Sequence, residues 1–181
     1  YFVPSKLTAQ DGMEVSLQNF EKVTIDGNVA ATILGTAAAD TLIGDSGADT
    51  ITGRAGADTL TGGSKSDTFV FSSGDTGITL DTADTITDFS TGTDKIDIAT
   101  VGNYVEADGA GNANIAAFIT DADASLPTTS IDIYAEYNFN GEGNTLVVID
   151  EDKSGAVNTG DTLLILTGLS TADGLDAADF I

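Results

Sequence analysis

Between residues 34 and 70 the apolar positions come singly and at a fixed interval. Leu42, Ile51, Leu60 and Phe69 are each nine residues from the next, with Thr before each one and Thr, Ile or Val after it. The pattern predicts three-residue strands, Thr41-Leu42-Ile43, Thr50-Ile51-Thr52, Thr59-Leu60-Thr61 and Thr68-Phe69-Val70, joined by six-residue turns. Three residues of strand and six of turn fit neither a helix nor an ordinary hairpin. Wound so that every second turn stacks on the same edge, they make a flattened right-handed coil of two parallel sheets, central residues inward and Thr outward. Coils two repeats apart then lie about 4.8 Å from each other, the spacing of paired strands.

The polar positions keep the same interval. Gly35, Gly44, Gly53 and Gly62 open the turns, and Asp40, Asp49, Asp58 and Asp67 close them. Glycine supplies left-handed backbone that aims carbonyls inward, and Asp supplies charge, so carbonyls and carboxylates gather along each edge. Carboxylates stacked about 5 Å apart repel one another. A hard divalent cation with six or more oxygen ligands relieves that repulsion, and calcium suits flexible backbone carbonyls better than magnesium does. The alternative is a roll whose Asp side chains only cap turns. Capping would accept Asn, yet Asn never stands at the sixth position.

The flanks read differently. Val15/Leu17, Val23/Ile25 and Ala31-Thr32-Ile33 alternate as short strands with a turn at Gly27, so residues 1–33 are read as N-terminal strands leading into the roll. After residue 100 the period is lost. Ile115, Phe118 and Ile119 have helical spacing within 114–122, Ile131, Ile133, Tyr137 and Phe139 point toward one face of a strand at 130–139, and two more strands are expected at 145–150 and 162–167. The aromatic stripe is read as core rather than as a sugar-binding platform. Residues 100–181 are thus a small β-rich cap packed on the open end of the roll, as a solenoid requires. The fold class is all-β: a right-handed parallel β-roll, capped by a β-rich C-terminal region with short helices.

Composition sharpens this picture. With 181 residues, 41 % of them hydrophobic, the chain can bury a core. Its 29 acids against 6 bases leave a net charge of −23, and 23 of the acids are Asp. Asp suits turns and hard cations, while nucleic acid and anionic membrane are poor partners for such a surface. Without Cys or His there are no zinc sites of the usual ligand sets, no thiol chemistry and no Ser-His-Asp triad within these residues. No apolar run approaches the ~20 residues that span a bilayer. The opening YFVPSKLTAQ shows no signal peptide, and a start at Tyr1 rather than Met predicts one end of something longer.

The repeats resemble those of the repeats-in-toxin (RTX) family, with its nonapeptide G-G-x-G-x-D-x-U-x. Gly44, Gly47 and Asp49, and likewise Gly53, Gly56 and Asp58, hold the first, fourth and sixth positions, whereas Asp45 and Arg54 replace the second Gly and Ala38 and Lys65 the fourth. If the fourth position is left-handed, each of the latter two costs about 1–2 kcal/mol. The segment DTADTITDFSTGTDKIDIA at 81–99 is similar to the one that follows the last repeat in secreted members, so 34–99 is taken as the calcium-binding roll and its following segment. The resemblance implies one calcium ion between repeats one and three and another between repeats two and four. Its ligands would be the carbonyls of Gly35 and Ala37, Gly44 and Ser46, Gly53 and Ala55, and Gly62 and Ser64, with the side chains of Asp40, Asp49, Asp58 and Asp67. Asp84 and Asp94 would complete sites at the C-terminal end of the roll.

A second candidate is the loop DEDKSGAVNTGD. Acids and a hydroxyl at its first, third and fifth positions, Gly at the sixth and a carboxylate at the twelfth match a calcium loop, with Asp150, Asp152, Ser154, the carbonyl of Ala156 and Asp161 as ligands. Strands rather than helices are expected on either side, and an ordinary polar hairpin loop is the competing reading. The tail GLSTADGLDAADFI resembles the uncleaved export signal of the family, read by a type I secretion apparatus; a short terminal helix packing Leu175 and Phe180 is compatible with it. The resemblance implies a secreted or cell-surface module that folds on binding calcium and serves as the C-terminal folding and secretion domain of a larger extracellular protein. The alternative is a surface-layer assembly or adhesion domain, whose partners would be cell-surface glycan or copies of itself. A secreted protease or lipase remains a third setting, with any catalytic domain outside these residues.

Overall fold

The computed structural model describes residues 7–8, 13–16, 22–26, 28–98, 103–107, 112, 114–126, 132–139, 141–169 and 174–181. Leu17, the turn at Gly27 and Ile131 lie outside them. The four repeat strands form where the nine-residue interval places them: β5 (Thr41–Ile43), β6 (Thr50–Thr52), β7 (Thr59–Thr61) and β8 (Thr68–Val70). Strands alternate between two parallel sheets. β5 pairs with β7, Thr41 opposite Thr59, and β6 pairs with β8, Thr50 opposite Thr68. Leu42, Ile51, Leu60 and Phe69 are fully buried between the sheets, while the Thr residues beside them are half-buried.

The earlier strands are coils of the same roll. β1 (Leu7–Thr8) pairs in parallel with β3 (Lys22–Asp26), which pairs with β5; β2 (Met13–Ser16) pairs with β4 (Ala31–Leu34), which pairs with β6. At the other end β9 (Asp84–Ile86) stacks on β7, and β10 (Lys95–Asp97) stacks on β8.

The C-terminal region covers the roll by extending it, not by lying across its end. β14 (Thr162–Thr167) runs parallel to β9 and antiparallel to β13 (Asn144–Asp150), which is antiparallel to β12 (Asp132–Phe139), and β11 (Asn103–Ala107) adds in parallel. Among the described residues, one sheet of nine strands results, facing a second sheet of five. The second sheet is extended by the tail: Ile181 N–H donates to the Ile96 carbonyl and Ile98 N–H to the Ile181 carbonyl, each at 3.0 Å. Leu175 and Phe180 are buried in the common core, around a 3-10 turn at Ala177–Asp179.

The helix arrives as α1 (Ile115–Ser125), capped by Asn114, whose side-chain oxygen accepts from Ala117 N–H at 3.1 Å. It sets Phe118 and Ala122 on the outer face of the extended sheet, so β12 and β13 are buried on both faces. The aromatic stripe of β12 therefore splits. Ile133 and Tyr137 join the roll core, but Phe139 joins the cluster under α1, because a bulge between Glu136 and Phe139, with Asn138 at φ 52, reverses the alternation.

Candidate metal centre along the roll edges

The turns stack into two edges. One holds turns 35–40 and 53–58 and then the loop that leads into Asp84; the other holds turns 44–49 and 62–67 and then the segment ending at Asp94. Along both, a carboxylate oxygen reaches back to the coil before it. Oδ1 of Asp49, Asp58, Asp67, Asp84 and Asp94 accepts from the backbone N–H of Ala31, Asp40, Asp49, Asp58 and Asp67, at 2.7–3.0 Å. Turn capping is thus real, but it uses one oxygen of each pair. Oδ2 of Asp49, Asp58, Asp67 and Asp84, and Oδ1 of Asp40, are buried without a hydrogen-bond partner. Asp94 differs from Asp84, since its Oδ2 accepts from Ser90 N–H at 2.8 Å.

Buried charge without a partner is costly, and the carboxyls respond by holding protons. Burial, reinforced by neighbouring carboxylates and opposed by the backbone bonds, pushes Asp58 and Asp67 up to about 6 and Asp84 up to about 8. Asp49 moves in the same direction, chiefly through burial. The carboxylate neighbours are Asp40 and Asp75 for Asp58, and Asp94, Asp49 and Asp88 for Asp67.

The first-position glycines are required by space rather than by handedness. A Cβ at Gly44 would lie 2.4 Å from Asp49 Oδ2 and 2.6 Å from the Gly62 carbonyl; one at Gly35 would lie 2.3 Å from the Gly53 carbonyl and 3.0 Å from Asp40 Oδ2. Carbonyl and carboxylate oxygens from two successive coils therefore converge at each edge, a donor set of hard oxygens that fits calcium. Positive φ occurs at the second position, at Asp45 (φ 77), Arg54 (φ 71) and Gly63 (φ 100), and at the fourth position in Gly56 (φ 141) and Lys65 (φ 83) but not in Ala38. The expected backbone cost thus applies to Lys65 but not to Ala38.

Residues 34–69 match the family model of the RTX calcium-binding nonapeptide repeat, in four copies. This stretch is an RTX roll. RTX nonapeptide repeats bind calcium, and Ca2+ is the ion expected here. A solution structure of the AlgE6R3 subunit of the Azotobacter vinelandii mannuronan C5-epimerase is similar over 86 % of this chain and 80 % of that one, at 20 % identity and a TM-score of 0.33. Among the curated proteins, none matches this chain. No helix among the described residues is long and apolar enough to cross a membrane.

Of the sequence-predicted ligands of the RTX roll, the Gly53 and Gly62 carbonyls lie over Gly35 and Gly44, in the same space as Asp40 Oδ2 and Asp49 Oδ2, and Ala37, Ser46, Ala55 and Ser64 lie in the same turns. The Gly35 carbonyl accepts from Arg54 Nη1 at 3.0 Å, a contact that sequence reading missed. The loop after β13 also gathers its candidates: carboxylate oxygens of Asp150, Asp152 and Asp161 lie within 4.8 Å of one another. They are engaged inside the loop, however. Ser154 N–H donates to Asp150 Oδ1 and Gly155 N–H to Asp150 Oδ2, while Glu151 N–H and Asn158 N–H donate to the two oxygens of Asp161. The Asn158 amide nitrogen reaches across the loop, 2.9 Å from Asp152 Oδ2, 2.9 Å from Ser154 Oγ and 3.0 Å from the Ala156 carbonyl. Burial pushes Asp161 up to about 6 and raises Asp150, whereas hydrogen bonds from Ser154 and Asn158 lower the exposed Asp152.

Proposed function

We propose that this calcium-binding roll is a folding switch, the C-terminal folding and secretion module of a larger extracellular protein. The observation that carries the reading is the row of buried carboxylate oxygens without partners on both edges. Without a cation these oxygens oppose closure of the roll; with calcium they become ligands, together with the carbonyls of Gly44, Ser46, Gly53, Ala55, Gly62 and Ser64. At a dissociation constant of ~100 μM and extracellular calcium of ~1 mM, each site adds about 1.4 kcal/mol, a large share of a domain's ~5–15 kcal/mol once summed over several sites. At the sub-micromolar calcium of a cytosol that contribution vanishes, and the chain stays open enough to be threaded through an exporter that reads its C-terminal residues.

Circular dichroism tests the switch. In chelator the chain should be largely disordered, and millimolar calcium should make it strand-rich while equal magnesium or equal ionic strength does not. A cooperatively melting roll in excess chelator would reduce calcium to a late stabiliser. The loop at 150–161 is proposed as a further calcium site, and binding there requires the Asn158 amide to turn its oxygen inward or leave. Asn158→Ala should then retain or tighten a calcium site that Asp150→Asn removes.

A further inference from the structure

The two edges share a backbone and differ at equivalent atoms: Asp40 Oδ1 has no partner where Asp49 Oδ1 accepts from Ala31 N–H, and two further differences lie within the sites. On the edge of turns 44–49 and 62–67, Asp49 Oδ2 has no partner and shares the space over Gly44 with the Gly62 carbonyl. At the same place on the edge of turns 35–40 and 53–58, Asp40 Oδ2 accepts from Thr36 N–H at 2.6 Å and from Thr36 Oγ1 at 2.9 Å. The Gly35 carbonyl, equivalent to that of Gly44, accepts from the Arg54 guanidinium at 3.0 Å. Both newcomers occupy the second position of a repeat, and Arg54 holds its guanidinium there although its φ of 71 is unfavourable for a residue with a Cβ. On the opposite edge the second-position residues are Asp45 and Gly63; Lys65, exposed as Arg54 is, stands at the fourth position and attracts the charge of Asp49.

A guanidinium is a permanent cation with donors spaced for carbonyl and carboxylate oxygens. We infer that Arg54, helped by Thr36, acts as a built-in substitute for a metal ion at the 35–40/53–58 site, so that the two edges fill unequally and calcium goes first to the 44–49/62–67 site. This rests on the calcium reading above and changes its arithmetic: the 44–49/62–67 site responds to calcium first, and the 35–40/53–58 site fills only at higher calcium. Calcium entering the 35–40/53–58 site must displace a charged hydrogen bond and two donors on Asp40, which makes that step at least about ten-fold weaker.

The test follows backbone amide resonances of Gly35, Asp40, Gly44 and Asp49 in the whole chain during a calcium titration, with calorimetry alongside. Gly44 and Asp49 should move first, and Gly35 and Asp40 only at about ten-fold higher calcium. In a Thr36→Gly, Arg54→Gly double variant the Gly35 and Asp40 midpoint should fall to that of Gly44, and the calorimetric trace should gain an equivalent of tight sites. Coincident midpoints in the parent overturn the inference while leaving calcium binding intact, as does an unmoved Gly35 midpoint in a folded double variant. If the double variant fails to fold at any calcium concentration, Arg54 is structural rather than a metal substitute, and the inference is overturned. Absence of both heat and resonance shifts on either edge would remove the calcium reading itself.

Discussion

Asp49, Asp58, Asp67 and Asp84 each divide their two oxygens between two tasks. In Asp49, Oδ1 holds the N–H of Ala31 at 2.8 Å and Oδ2 faces the Gly62 carbonyl without a partner. Asp49→Asn keeps the acceptor and puts a neutral donor beside that carbonyl, so the metal-free variant should be at least as stable as the parent while losing the gain from calcium. Asp49→Ala loses the cap too and should be about 1–3 kcal/mol less stable than Asp49→Asn at saturating calcium. Strand content at graded calcium separates the two, and an undiminished calcium response in Asp49→Asn would refute the division. Likewise Gly44→Ala should destabilise the roll by about 1–3 kcal/mol by denaturant titration, since its Cβ meets two oxygens inside van der Waals distance. The buried Leu42, Ile51, Leu60 and Phe69 were legible in the sequence because their interval repeats. The need for glycine was legible too, but its cause was not: close approach depends on which coil lies beside which. Arg54 and Gly35, 19 residues apart, meet only once that register is known.

At the scale of elements, periodicity located the repeat strands, β2 to β4, β12 to β14 and the helix to within a few residues; it gave no sign of β1, β9, β10 and β11, and it failed where a single residue resets the phase. Nothing in SIDIYAEYNF announces the bulge before Phe139, because Asn138 tolerates left-handed backbone without advertising it. The junction of roll and cap was also hidden. It depends on Thr76, a buried residue in an irregular loop, whose hydroxyl donates to the Leu163 carbonyl at 2.9 Å and accepts from Leu163 N–H at 3.0 Å. Thr76→Val keeps the shape and leaves both backbone groups unpaired at the start of β14. It should cost about 2–4 kcal/mol in urea titration, with hydrogen exchange accelerated in β14 before β5. Equal stability of parent and variant would show that the loop does not hold the cap.

Across the whole molecule, 23 excess negative charges and a set of buried carboxyls make stability depend on pH in an unusual sense. Asp58 and Asp67 are raised from 3.8 to about 6, Asp161 likewise, and Asp84 to about 8. The metal-free folded state therefore binds protons that the unfolded chain has released, and its stability falls as pH rises from about 4 through 6 to 8. Strand content in chelator, read by circular dichroism, should rise on acidification from pH 8 to 5, whereas calcium-loaded protein should lose its advantage over the same interval as protons compete for the same oxygens. A chelated chain with more strand at pH 8 than at pH 5 would contradict the assignment of these carboxyls. The capping bonds also have a direction. Each of the five capping Oδ1 atoms reaches from a later coil to an earlier one, from Asp94 to Asp67 to Asp49 to Ala31 on one edge and from Asp84 to Asp58 to Asp40 on the other. A coil thus finishes its neighbour on the N-terminal side, and β9 and β10, backed by β14 and the tail, supply the first template. Order in such a stack spreads like a row of clasps closed from one end, and amide exchange protection should decline rung by rung from β9 toward β1.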